Sequence, residues 1–475
     1  MALTDMQIKK ILEEMEGGIK GVSPGAAPEK KARVLPEIEG VYETVQEAVA
    51  AVGQAQAAFS RLSLKIRGEV IAAIRKAALE NAKHLAELAH RETGYGNVEH
   101  KTLKNQLAAN KTPGLEDFTP IAYSGDDGLT LVELAPYGII GAITPSTNPT
   151  STVINNTISM IAGANGVVFN PHPGAKGASN ETVRILNRAI YETCGVKSLL
   201  GSVENPSAKT GKALMDHGDI RLLAITGGEA VVNLAMKSGK KVIAAGPGNP
   251  PVIVDDTADV EKAARDITRG ASFDNNVLCI AEKEVFVLRS VADKLVNHMV
   301  EAGCYLADER EMEEIARTVL TQGDHGIVPN KDFVGKSARH ILTRSGIYTD
   351  KDPVLIICRP QANHPFVTTE KLMPVLPIVT VDSLEEAVEK AVWAEKGCFH
   401  TAIMHSKNVD NLTFAARRLD TTIFVKNGPS FAGLGFEGEG HTSLTIATPT
   451  GEGLTSAKNF VRARRCTLSG SFHIL

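Results

Sequence analysis

Between Gly128 and Leu419 short apolar runs alternate with longer stretches of helical periodicity, and this alternation limits the fold more than any other feature of the chain. Gly128–Thr144 reads as two strands joined by a turn near Pro136-Tyr137-Gly138. There follow helix Ser151–Ala162, strand Gly166–Asn170, helix Ala178–Cys194, strand Arg221–Thr226, helix Gly228–Ser238 and strand Lys241–Ala245. Strands separated by helices pair in parallel, and ligands bind beyond the carboxyl ends of such strands. A second region of the same kind runs from Val252 to about Gly440, with strands expected at Glu284–Leu288, Ile378–Val381, Thr401–His405 and Thr422–Val425. Ahead of both, residues from Tyr42 to Leu115 are helical in pattern, and the closing stretch Asn459–Ile474 alternates like a strand added to another sheet. The expected fold class is α/β.

At 475 residues the chain exceeds one ordinary domain. A net charge of −4 and the lack of a basic stripe with interleaved aromatics argue against a nucleic-acid partner. No apolar run reaches membrane-spanning length and no signal peptide is recognisable, so a cytoplasmic protein with no membrane partner is expected. The six cysteines are scattered without a CxxC pair, which suggests neither a metal site nor a disulfide framework. Residues 1–21 read as an amphipathic helix opened by Thr4 and Gln7, with Met6, Ile8, Ile11, Leu12, Met15 and Ile19 mostly on one face. A Gly- and Pro-rich linker to Pro28 detaches it from the body. A frayed tail would look the same, but an apolar stripe with no domain to cover it calls for a partner.

The chemistry centres on Ala271-Ser-Phe-Asp-Asn-Asn-Val-Leu-Cys279-Ile280, where Cys279 ends a polar run and opens an apolar one. A lone cysteine beside apolar residues is more often inert core; small and amide-bearing neighbours at the lip of a strand suit a nucleophile. In Thr144-Pro145-Ser146-Thr147-Asn148-Pro149, Asn148 stands between prolines at a strand's carboxyl end, where its amide could donate to an oxyanion or merely start a helix. Ile225-Thr226-Gly227-Gly228-Glu229 ends a strand and opens a helix, leaving free amides that suit a dinucleotide as well as an ordinary turn. His400, ahead of a strand, could move protons or simply pack. Gly433-Leu-Gly435-Phe-Glu-Gly438 matches a dinucleotide fingerprint, but extended sequence follows it, so it reads as a flexible loop.

Taken in order, Asn148 in its proline-flanked turn, Gly166-Val-Val-Phe-Asn-Pro171, Thr226-Gly227-Gly228, Gly246-Pro-Gly248-Asn-Pro-Pro251, Cys279 and Glu370-Lys-Leu-Met-Pro-Val375 resemble the aldehyde dehydrogenase superfamily from about Val41 to the end. Ser272–Cys279, Pro145–Pro149, Val425–Pro429 and Pro449–Gly453 resemble its CoA-acylating branch, the propionaldehyde and acetaldehyde dehydrogenases of bacterial microcompartments. The resemblance implies a targeting helix and linker at 1–28, a Rossmann-like cofactor and CoA domain at 29–245, a catalytic domain at 246–440, and a return segment with an oligomerisation strand at 441–475, with 120–140 joining that β arm. It implies that Cys279 is the nucleophile and that its backbone N–H and Asn148 form the oxyanion hole, with His400 the candidate for proton transfer. Thr144, Pro145, Ser146, Asn170, Pro171, His172, Thr226, Gly227, Gly228 and Gly246 would line the cofactor site, and Glu370 would hold the nicotinamide ribose.

Two departures bear on the chemistry. Hydrolytic members carry a general-base glutamate in Glu-Leu-Gly-Gly, where this chain has Ala245-Gly246-Pro247-Gly248. Water would lack a base there, whereas a thiol attacks a thioester without one. A lysine that contacts the adenosine ribose in many members is replaced by Asn170, leaving NADP open beside NAD. The expectation is an NAD-dependent, CoA-acylating oxidation of a short-chain aldehyde, with propanal first, in a homodimer or dimer of dimers. The site is expected inside a microcompartment in the bacterial cytoplasm, with residues 1–21 docking to shell or cargo. A hydrolytic enzyme that gives the free acid and a non-catalytic compartment scaffold are the alternatives.

Overall fold

The computed structural model of the chain describes residues 40–323 and 326–474. The helix expected at residues 1–21 and its linker lie outside the described residues. Helices Val45–Phe59, Leu64–Glu80, Ala82–Thr93 and Val98–Lys111 come first. Three of them start where a short polar side chain closes on a free amide: Thr44, Ser63 and Asn97 accept from the N–H groups of Glu47, Ile66 and His100. The buried face of Val98–Lys111 carries Lys101, Lys104 and Asn105 beside Ala108 and Ala109.

The first sheet has six parallel strands in the order Val41–Tyr42, Leu200–Val203, Gly166–Pro171, Ile139–Thr144, Ile220–Thr226, Lys241–Ala245. The chain lays down Ile139–Thr144, steps outward twice, then returns to its other side with Ile220–Thr226. This reversal opens a crevice above Thr144 and Thr226. Helix Pro149–Ala162, buried along its whole length, follows the central strand. The hydrophobic pattern does not reveal Leu200–Val203. It is only four residues long and includes Gly201, where a Cβ would come within 2.9 Å of Val52 on the covering helix. Strand Ile121–Gly125 is missed for a different reason: it is exposed throughout and has no inward face to alternate.

The second sheet has seven parallel strands in the order Cys304–Leu306, Leu355–Cys358, Val375–Val381, Glu284–Leu288, Pro251–Val254, Thr401–His405, Ile423–Lys426. Residues 246–250 carry the chain from the carboxyl end of the first sheet to the amino end of Pro251–Val254. Cys279, Glu370 and His400 therefore all precede their strands. The carboxyl end of this sheet is closed by its own side chains: Asp255 accepts from Thr257 N–H (2.9 Å), Thr257 Oγ1 (2.7 Å), Ser406 Oγ (2.5 Å) and Asn411 Nδ2 (2.8 Å). The two sheets thus present opposite ends to one region of the molecule.

A third sheet is antiparallel, with Gly128–Pro136 between Ile121–Gly125 and Val461–Ser469. The last strand pairs from Val461 opposite Pro136 to Ser469 opposite Gly128, and every residue of it after Val461 is exposed.

Candidate active site

Helix Val260–Ser272 ends in a turn with three consecutive left-handed residues: Asp274 (φ 50°), Asn275 (φ 54°) and Asn276 (φ 65°). Aspartate and asparagine tolerate this conformation best among residues with side chains, yet each still costs about 1–3 kcal/mol, so the surroundings must hold the turn. Asp274 N–H donates to His100 Nδ1 at 2.8 Å; its carboxylate accepts from Asn97 N–H at 2.9 Å, from Lys101 Nζ at 3.0 Å and from Lys104 Nζ. Asn275 Nδ2 donates to Gly335 O at 2.9 Å, and Asn276 Nδ2 to Ala271 O at 2.8 Å and Glu282 O at 3.0 Å. Buried Lys283 donates to Asn276 Oδ1 (2.5 Å), Asn276 O (3.0 Å) and Leu278 O (3.0 Å). The amide neighbours of the cysteine are therefore committed to holding its turn. The run Asp-Asn-Asn is the sequence signal that could have revealed it.

Half-buried Cys279 follows this turn. Burial pushes its thiol up to about 12, with Glu370 adding to the rise and Lys283 opposing it. Gly248 brings the next group close, because a Cβ there would lie 2.9 Å from His400 Cγ and 3.0 Å from Cys279 O. Burial holds the nearby Glu370 carboxylate above the usual range, with Lys283 opposing the rise. His400 is fully buried; its N–H donates to Glu395 Oε1 at 2.9 Å, its Nδ1 meets Thr401 Oγ1 at 2.9 Å, and its Nε2 has no partner among the described residues. Burial first and Lys283 second pull its imidazole down to about 4, so it is neutral at physiological pH.

Asn148 occupies the N-cap position of Pro149–Ala162, but its side chain does not cap that helix. Its Oδ1 accepts from Lys104 Nζ at 2.6 Å, and its Nδ2 donates to Thr147 Oγ1 at 3.2 Å. Sequence reasoning missed Lys101, Lys104 and Lys283, because a lysine in a helix or loop carries no mark of burial, and it gave Asp274 no role within the cysteine's own stretch.

The residues expected at the cofactor gather at the carboxyl ends of three adjacent strands. Thr144 ends the central strand, and Pro145 and Ser146 follow it. Asn170 and Pro171 end the next strand, and His172 N–H donates to Thr144 O at 2.9 Å. Asn170 Oδ1 accepts from Thr210 Oγ1 at 2.6 Å, and the exposed His172 accepts Gly174 N–H on Nδ1 at 3.1 Å. Thr226, Gly227 and Gly228 lie on the other side of the crevice. Gly246 lies at the join of the sheets, where a Cβ would come within 2.9 Å of Pro449. The crevice fits a dinucleotide's nicotinamide end in two respects. Thr144 Oγ1 is buried with no partner among the described residues, and a Cβ at Gly228 would meet nothing within 4 Å. Among the described residues no cluster of three His, Cys, Asp or Glu side chains could hold a metal ion, and no helix is long and apolar enough to cross a membrane.

A small apolar pocket lies behind Leu278, lined by Leu103, Leu107, Phe273, Phe431, Phe436 and Leu444 among others. Phe273, Phe431 and Phe436 stand 5.2–5.9 Å apart, centroid to centroid. Of the glycines in Gly433–Gly438, Gly433 lies within a short 3₁₀ turn, Ser430–Leu434, and Gly435 closes it; the stretch opens no α-helix.

The family model described as "Aldehyde dehydrogenase family" matches residues 27–315, more than half of the chain. The chain belongs to the aldehyde dehydrogenase family. Within it, the chain is 47% identical over 442 residues to the CoA-propanoylating propanal dehydrogenase of Salmonella typhimurium, covering 93% of this chain and 94% of that one. A solved propionaldehyde dehydrogenase from the fucose utilisation microcompartment of Clostridium phytofermentans superposes with a TM-score of 0.89 at 49% identity, covering 92% of this chain and 100% of that one. A Rhodopseudomonas palustris propionaldehyde dehydrogenase, solved with bound CoA and an acylated cysteine, gives 0.88 at 46% identity, with 91% and 98% covered.

Proposed function

We propose that this aldehyde dehydrogenase is CoA-acylating: it oxidises a short-chain aldehyde, propanal first, to the acyl-CoA through a thioester on Cys279. The observation that carries this is the ground opposite the nucleophile. Ala245-Gly246-Pro247-Gly248 offers no titratable group, and Gly248 is packed so closely on His400 and Cys279 that a side chain has no room. A hydrolytic step needs a base that this stretch does not supply, while a thiol needs none. The similarity to CoA-propanoylating relatives supports the same reading.

In this scheme the Cys279 sulfur adds to the aldehyde carbon, and its proton passes to the free Nε2 of neutral His400 or to solvent. The Cys279 N–H and the Asn148 carboxamide hold the oxygen as it becomes negative. NAD, when held by Thr144, Thr226, Gly227, Gly228 and Glu370, supplies the acceptor for the departing hydride. The acyl group then rests on Cys279 until a CoA thiol displaces it and the cysteine leaves as thiolate. One thioester replaces another, so the exchange runs readily in both directions. The alkyl chain enters the apolar pocket beside Leu278 by parting its side chains, since the free space there holds no more than about one water.

The test is product analysis with propanal and NAD. Propanoyl-CoA formed only when CoA is present supports the proposal; NADH formation indifferent to CoA, with propanoate as product, refutes it. Two wider readings belong with it. The exposed strand Val461–Ser469 points to a homodimer or dimer of dimers, and a monomer by light scattering at micromolar concentration would reject that. By resemblance to encapsulation peptides, residues 1–21 dock to a microcompartment shell or its cargo, as the compartment origin of one relative suggests. Deleting them should release the protein from shells without changing its activity in solution; unchanged co-purification would count against docking.

A further inference from the structure

Lys104 has no part in the scheme above, yet its ammonium is buried within it, at 4% exposure. Its three hydrogens have three acceptors: Asn148 Oδ1 at 2.6 Å, Thr147 O at 3.4 Å and Asp274 Oδ2. Asp274 is itself anchored by Asn97 N–H and by Lys101, which is 2% exposed. Two buried lysines thus share one buried aspartate, leaving a surplus positive charge. Such a charge is costly unless an anion forms beside it.

An ammonium can only donate, so the atom of Asn148 that faces Lys104 must be its carbonyl oxygen. This fixes which way the carboxamide points. One N–H goes to Thr147 Oγ1, and the other is left for the site. We propose that Lys104 is a positioning residue for acyl transfer: anchored by Asp274, it locks the Asn148 carboxamide with its NH₂ toward the acyl oxygen. This rests on the assignment of Asn148 as an oxyanion donor. Burial brings the Lys104 ammonium down to about 8 against the opposing pull of Asp274, so it remains mostly charged at neutral pH.

The test compares two reactions of Cys279 in the full-length protein. Acylation by p-nitrophenyl acetate passes through an oxyanion; alkylation by iodoacetamide does not. Lys104→Met leaves Lys101 and Asp274 as a balanced pair, and Lys104→Gln makes the same comparison should the Met variant fail to fold. Loss of one oxyanion donor costs about 100- to 1000-fold, so releasing it should slow acylation by about 10- to 100-fold while alkylation stays within about threefold. Lys104→Arg, which restores a charged donor, should recover part of the loss. In an Asn148→Ala background, Lys104→Met should cost nothing further. Parallel losses in acylation and alkylation, or an undiminished loss without Asn148, would overturn the role of Lys104. An Asn148→Ala enzyme that acylates normally would instead remove the oxyanion assignment beneath it.

Discussion

Gly96 tests how the nucleophile turn is held. It sits at φ +61°, and a Cβ there would overlap Asp274 Oδ1 and Cγ and come within 2.9 Å of Oδ2. The left-handed backbone alone costs alanine about 1–2 kcal/mol. The carboxylate cannot retreat freely, because it is bound to Asn97 N–H and two buried lysines. Driving it off a buried ion pair adds about 3–5 kcal/mol. Gly94 is the internal control: its φ is +67°, but its Cβ would meet only Lys336 Nζ, the end of a flexible side chain, at 2.8 Å. Gly94→Ala should therefore cost little beyond the backbone term, and Gly96→Ala about 3 kcal/mol more, together with a large loss of thioester formation. Denaturant midpoints of the two variants under one set of conditions, with NADH release from propanal measured in parallel, supply the comparison. If the two alanine variants lie within about 1 kcal/mol of each other, with similar activity, Asp274 is not held as described.

Two further outcomes follow from the site. Leu107 lines the apolar pocket with Phe273 and Leu278; Leu107→Ala should raise the kcat/KM ratio of pentanal to propanal by about tenfold or more, and an unchanged ratio would place the alkyl chain elsewhere. His400 titrates at about 4 in the fold because burial disfavours its charge. The unfolded chain binds that proton first, so stability is complete above pH 6.5 and falls as pH drops from 6.5 toward 4. His400→Gln should flatten the fall in denaturant midpoint over this window, and an unaltered slope would mean that another group carries it.

The strands and helices around Thr144, Asn170 and Thr226 were legible because each buries a continuous apolar run, and apolar runs are what a sequence displays. Cys279, Asn148 and Glu370 were legible only through their ordered motifs. Asn148 shows the limit: its turn suited either a helix start or an oxyanion donor, and only the contact with Lys104 shows that the side chain leaves its own helix uncapped.

By itself, then, the chain of residues determined two parallel α/β regions, the crevice at the first sheet's reversal, and a candidate thiol between polar and apolar sequence. Tertiary structure decided that the second sheet turns its amino end to the site, since Asp255 and its partners close the other end. It also brought Lys101 and Lys104 to Asp274 across 170 or more residues of chain. A buried charge leaves no periodic trace in sequence, because its energy depends on a partner that folding alone delivers.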